Sequence, residues 1–258
     1  MTDGQWEWLP SLLPARPWRP GGPGRPPSCD RRGIVNGSLS VHKTGGPWRL
    51  VPKALGHWST LYGYVKRGRR DGGWGNLRET RRQWERRGLG RQPAPSAGSI
   101  DSQTSKTATQ SKDIGFDGNK KRKGRQRHIL VDTLGLMIAV GVTDASTEDR
   151  QGVVALLSEY VADGSKRRRK RGGEGAYPAE WLDEWGRRLK QTHKIALEST
   201  THTEGKGCQV VPWRGAVERP FAWLLTDRRH RRDYERLTAN SAAMIQMSMI
   251  RLLLNRLA

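Results

Sequence analysis

Up to about residue 92 the apolar positions recur three and four apart, and beyond it they alternate or run together, so the chain reads as a helical unit followed by a strand-bearing one. Thr2 and Asp3 can cap a first helix carrying Trp6, Leu9 and Leu13, ended by Pro14 and the stretch PARPWRPGGPGRPPS. A second helix is predicted from Asp30 to about Lys43, closed by Gly45 and Gly46. In a third, Ser59 serves as N-cap and LYGYVKRGRR puts aromatic residues on one face, with Lys66, Arg67, Arg69 and Arg70 near its end. Three short helices with a basic third one suggest a helix-turn-helix arrangement.

RQPAPSAG, residues 91 to 98, has the composition of a linker and divides the chain into 1–92 and 93–258. After it, SIDSQTSK reads as a strand end with Asp101 just past its apolar residue. RHILVDTLG and LMIAVGVTDAS read as two strands joined by a turn at Gly135, forming an antiparallel meander with the Asp101 strand. Helices are predicted from Asp149 to Val161, from Pro178 to about Thr192 and from Gly215 to about Arg229; HKIALEST is a strand and MIQMSMIRLLLNRLA a core-facing helix. Strands followed by alternating helices and strands make this unit mixed α/β.

Composition narrows the class. Lys and Arg number 47 against 25 acidic residues, a net charge of +22, and such an excess points to nucleic acid. The charge is clustered in residues 66 to 91, in KKRKGRQR at 120 to 127 and in KRRRKR at 166 to 171, blocks expected to be solvated. Cys29 and Cys208 are too few for a disulfide framework, and a reduced, cytoplasmic protein is expected. Neither a signal peptide nor a stretch of 18 apolar residues is seen, so no membrane association is expected. His42, His57, His128, His193, His202 and His230 are scattered without ligand spacing and read as ordinary surface or core residues, as Trp181 and Trp185 read as core. Without a Walker-type glycine loop, no nucleotide energy source is expected.

The segment VVPWRGAVERPFAWLLTDRRHRRDYERL, with IDSQTSK 117 residues before its Glu218 (218 − 101), resembles the catalytic core of DDE transposases of the bacterial insertion-sequence-five family. TDGQW, GGPWRLVP and HWSTLYGYVKRGRRDG resemble that family's N-terminal region in the same order, so the resemblance covers nearly the whole chain. It implies a ribonuclease-H-like mixed sheet with flanking helices in 93–258, preceded by the small helical, helix-turn-helix-like DNA-binding domain of 1–92.

The resemblance also implies the chemistry. Asp101 and Glu218 match the first and third metal-binding carboxylates of the family, and Arg214, four residues before Glu218, matches its phosphate-contacting arginine. Val217, Phe221 and Leu224 would supply the buried face that directs Glu218. For the second carboxylate, GGEGAYPAEWLDEW offers Glu174, preferred here, and VADGS offers Asp163. Neither follows the apolar strand that relatives have, and KRRRKR is expected to loop outward from the sheet. Gly215, where relatives usually have Trp, and Gly68, where they have a large residue, also depart from the family pattern.

The implied cofactors are two Mg²⁺ or Mn²⁺ ions held by Asp101, Glu174 and Glu218, hard cations that take oxygen ligands. The implied activity is metal-dependent cleavage at transposon ends and strand transfer into target DNA; the departures between Val161 and Tyr177 predict that this copy is weak or inactive, and the alternative is a catalytically inactive DNA-binding remnant. The expected partners are the transposon inverted repeats and target DNA, with a homodimer in the active complex. DNA contacts are expected from Lys66, Arg67, Arg69 and Arg70, and from Lys121, Arg122, Lys123 and Arg125. A basic RNA-binding protein would explain the charge but not the ordered motifs.

Overall fold

A computed structural model describes residues 1–11, 13, 30–162, 171–173, 187, 191, 197–199 and 214–256. The N-terminal helices arise where the sequence supplies caps. In α1 (Asp3–Glu7) Thr2 accepts from the Gln5 backbone N–H while the Gln5 side chain returns the bond, a reciprocal cap that fixes a helix of little more than one turn. Leu9 and Leu13 lie beyond its end, yet both are buried. α2 (Arg31–Thr44) starts at Asp30 and stops at Gly45, whose φ of 73° places it in the left-handed region open to glycine. α3 (Trp58–Arg70) is capped by the His57 ring rather than by Ser59.

A fourth helix, α4 (Gly73–Gly88), occupies much of the stretch expected to be a solvated basic cluster. Trp74, Leu77, Arg78, Arg81, Arg82 and Arg86 follow one another at helical spacing, and all are buried. Their guanidinium groups are offset by acids and carbonyls. Arg82 pairs with Glu79 at 2.6 Å, Arg86 with Asp132 at 2.6 Å, and Arg81 donates to the Leu253 carbonyl at 3.3 Å.

Gly68 of α3 has a packing role. A Cβ there would stand 2.6 Å from the Trp74 ring, which is held against α3 by a 2.9 Å bond from its Nε1 to the Val65 carbonyl. The departure from the family pattern therefore makes room for Trp74. Gly68→Ala should gain about 1 kcal/mol of helix propensity but lose about 1 to 3 kcal/mol to overpacking. A lowered thermal midpoint is the expected result.

The sheet is built on β1 (Gly98–Ser105), β3 (Arg122–Asp132) and β4 (Met137–Asp144), all antiparallel with β3 in the centre, as the meander predicted. The short β2 (Gly115–Asp117) pairs with the start of β3. KKRKGRQR thus divides: Lys120 to Lys123 are exposed, while Arg125, Gln126 and Arg127 are buried within β3. α5 (Asp149–Ala162) covers one face through Val153, Leu156 and Leu157 against Ile100, Leu130 and Ile138.

β5 (Arg171–Gly173) and β6 (Leu197–Ser199) pair in parallel, and β5 runs beside β1. Of KRRRKR, expected to loop outward, residues 166–170 lie outside the described residues and Arg171 opens β5, which is not paired with the main sheet. The described strands thus form two sheets, one of β1, β2, β3 and β4 and one of β5 and β6, with β5 close to β1. The predicted helix from Pro178, the two cysteines, His193, His202, Trp181 and Trp185 lie outside the described residues.

α6 (Arg214–Leu225) and α7 (Thr238–Asn255) cover the other face of the sheet. α7 is buried nearly all round. Ile245 and Met249 meet Ile129, Val131, Phe221 and Leu224, while Met244, Met247, Ile250 and Leu254 meet Ile34, Val65, Trp74 and Leu77. Residues 1–92 therefore complete their core with the C-terminal helix. No described helix is long and apolar enough to cross a membrane.

Candidate active site

The pleat of β1 determines which residues can meet. Asp101 lies opposite Ile129 across the β1–β3 ladder, and Ile129 packs among Phe221 and Leu224 of α6. Asp101 is therefore on the α6 face, whereas its neighbours Ile100 and Ser102 point toward α5. On α6, Ala216, Pro220, Phe221 and Leu224 are buried and Glu218 is exposed. Strand and helix are in contact, and Glu218 is one of the charges acting on Asp101. Charge on the one carboxylate thus acts on the other.

The Asp101 carboxyl is held above its ordinary range, chiefly by burial, with the negative charges of Asp149 and Glu218 adding to it. The Ser102 N–H, 2.7 Å from its Oδ1, and the Lys120 ammonium oppose that rise. This carboxylate pays for its position in the metal-free protein. Because the folded value is raised, the folded chain binds the proton more readily, and stability falls as pH climbs from the ordinary value of 3.8 through the raised one. Asp101→Asn should remove that penalty and raise the thermal midpoint of the metal-free chain at neutral pH, with little difference at pH values below the ordinary one.

Asp149 and Lys120 are site residues that the sequence did not single out. Asp149, in the first turn of α5, accepts hydrogen bonds from Ser102 Oγ and Gln126 Nε2. Lys120 Nζ stands 4.0 Å from Asp149 and 3.7 Å from Asp117. Asp117 also accepts from the Asn119 and Lys120 backbone at 3.1 and 2.9 Å, which fixes the turn leading into the exposed Lys121, Arg122 and Lys123. An acid at a helix start has an ordinary dipole role; the side-chain contacts to β1 and β3 are what place Asp149 here.

The remaining predicted residues divide. Arg214 opens α6 one turn before Glu218. Glu174 directly follows β5, the strand beside β1, and lies outside the described residues, as does Asp163. Lys66 and Arg70 are exposed on α3, Arg70 beside Asp71 at 2.9 Å, and Arg67 and Arg69 are half-buried.

Arg125 is a correction. It is fully buried, donating to the Lys112, Glu235 and Arg236 carbonyls and pairing with Asp233 at 3.3 Å, so it braces the core and is closed to a DNA phosphate. From Gly124 onward β3 is buried on both faces, so neither side of the strand exposes it.

A family model described as a transposase DDE domain matches residues 92–253, more than half of the chain, and one described as a transposase of the IS4/5 family matches residues 1–78. No curated protein matches the chain. Among solved structures, the Mos1 transposase paired-end complex with left transposon end is 8% identical, covers 82% of each chain and superposes with a TM-score of 0.25, too distant to add to the family match. Asp101 on the first strand of the sheet, Glu218 on a helix against it and the two matched models agree: the chain belongs to the DDE transposases of the IS4/5 family.

Proposed function

We propose that the chain is an active DNA transposase that cleaves at the ends of its element and joins them to target DNA. What supports this reading is that Asp101 on β1 and Glu218 on the adjoining α6 are near enough for the charge of one to act on the other, as that of Asp149 also does. Such a group of anionic oxygens, one of them raised in pKa chiefly by burial, is the donor set that a hard divalent cation favours. Asp101 and Glu218 would hold Mg²⁺ or Mn²⁺, two ions in the full arrangement, with Glu174 at the end of β5 as the further ligand. Bound there, the metal supplies Lewis acidity toward the scissile phosphate and a more acidic water.

The chain's own residues do the positioning. Burial and the Ser102 N–H fix the Asp101 carboxylate, and the apolar face of α6 fixes the direction of Glu218. Lys120 to Lys123 would attract the DNA backbone beside this site, and Arg214 would contact a phosphate from the start of α6. Lys66, Arg67, Arg69 and Arg70 would hold the inverted repeat, and a homodimer would bring two ends together.

The alternative, an inactive DNA-binding remnant, rests on the want of an apolar strand before Glu174, and β5 there is the short Arg171–Gly173. The two readings separate in a cleavage assay on a duplex ending in the inverted repeat. The full chain with Mn²⁺ should release a 3′ hydroxyl at the element end, whereas a chain that binds the duplex without cutting it is a remnant.

A further inference from the structure

His42 of α2, and Asp227 and His230 just beyond the end of α6, come together in the interior although 185 residues separate the first two (227 − 42). All three are buried, and one ligand atom from each lies within 4.8 Å of the others. The group sits past the far end of the helix that carries Glu218 in its first two turns, so it is separate from the carboxylate site.

A proton count around Ser248 shows what is missing. The Ser248 hydroxyl is 2.9 Å from His42 Nδ1 and 2.7 Å from His230 Nε2. His42 Nε2 is buried with no group to receive a proton, so the His42 proton sits on Nδ1, where the Ser248 hydroxyl accepts it and donates its own to His230 Nε2. The chain of protons leaves His42 Nε2 as a bare lone pair, and that atom is buried without a hydrogen-bond partner. The bare His42 Nε2 is an acceptor in want of a partner, and it lies beside the Asp227 carboxylate.

We propose that His42, Asp227 and His230 form a binding site for a zinc-class transition-metal ion, which fastens α2 to the C-terminal half of the chain. Two imidazoles and one carboxylate suit zinc or cobalt and not the hard ions of the carboxylate site. Both imidazoles are neutral at physiological pH, His42 being lowered to about 3 mainly by burial and His230 well below the ordinary value for the same first reason. The His230 contact to Met244 is the outer hydrogen bond that commonly orients a metal-bound imidazole. A tetrahedral ion with ligands at about 2.0–2.1 Å would draw the three atoms to roughly 3.3 Å of each other, within reach of small side-chain rotations.

Arg251 is the competitor. Its guanidinium contacts both oxygens of Asp227, at 2.7 and 3.3 Å, and Arg229 and Arg127 add positive charge nearby. The Arg251 side chain is 15% exposed and can turn outward to release the carboxylate. Metal and Arg251 would thus be alternative partners for Asp227.

The test uses the full chain, stripped with a chelator and titrated with Co²⁺ and Zn²⁺ alone. A single Co²⁺ ion with the visible absorption of a four-coordinate site is expected. It should persist in the Asp101→Asn/Glu218→Gln chain and weaken at least about 10-fold in His42→Leu, an apolar replacement suited to the buried position. Arg251→Met should bind more tightly and gain more thermal stability from Zn²⁺ than the unmodified chain does. This second variant decides the matter if His42→Leu fails to fold. Absence of four-coordinate absorption, its survival in His42→Leu, or no Zn²⁺ stabilisation of Arg251→Met would overturn the site and leave a Ser248-centred hydrogen-bond chain in its place.

Discussion

Asp132→Ala should destabilise the chain by about 3 to 5 kcal/mol, the usual consequence of removing one partner from a buried ion pair. Asp132 is wholly buried and receives Arg86 Nη1 at 2.6 Å, with Arg82 Nη1 at 3.6 Å. Its other oxygen accepts from the Leu134 and Leu136 backbone, each at 2.9 Å, and so closes the β3–β4 turn. Alanine would strand a guanidinium in the interior and free two N–H groups at once. Arg86 would keep only the Gln92 carbonyl, at 2.7 Å, while Arg82 would keep Glu79. Against a typical domain stability of about 5 to 15 kcal/mol, the loss is a large share of the total. Chemical denaturation should show a much lower midpoint, with a smaller fall for Arg86→Met, which leaves Asp132 its turn bonds and Arg82. Equal, small effects of both changes would show that the pair does not tie α4 to the sheet.

The second large effect concerns chemistry. Glu218→Gln and Asp101→Asn should each lower metal-dependent cleavage by at least about 10²-fold, since misplacing a reacting group by about 1 Å already has that effect. DNA binding should survive both changes, because each removes a negative charge from a basic surface. The double variant should be little worse than either single one, as is usual for groups that act as a unit. Asp149→Asn should fall between them and the unmodified chain, since Asp149 acts on Asp101 through Ser102 and Gln126 as well as by charge. Unchanged cleavage in Glu218→Gln would remove that residue from the site.

The strands were legible in the sequence, and the two carboxylates could be proposed from it, because these signals are local. RHILVDTLG and LMIAVGVTDAS carry continuous apolar runs around a glycine turn, and Asp101 and Glu218 stand in motifs with a fixed local pattern. α4 was hidden because its buried stripe is written largely in arginine. Trp74, Leu77, Arg78, Arg81, Arg82 and Arg86 have helical spacing, but a pattern that counts arginine as polar reads them as a solvated basic face. Arg125 misled for the same reason, its partners being carbonyls far away in the chain. β5 was missed because Arg171, Gly172 and Gly173 carry no strand-forming side chain; pairing with β6 makes them a strand. His42, Asp227 and His230 gave no signal at all, since only folding brings α2 to the end of α6.

The central claim, that Asp101 and Glu218 share one metal site, is most directly tested by iron-mediated cutting of the protein backbone. Fe²⁺ replaces Mg²⁺ at oxygen-rich sites, and with ascorbate and peroxide it breaks the chain next to where it is bound. The full-length protein should be cut near Asp101, near Glu218 and just after Gly173, and excess Mg²⁺ should suppress all three cuts together. Asp101→Asn should abolish the cut near Glu218 as well as its own. Cuts near Asp101 that persist in Glu218→Gln, with none near residue 218 in the unmodified chain, would contradict a shared site.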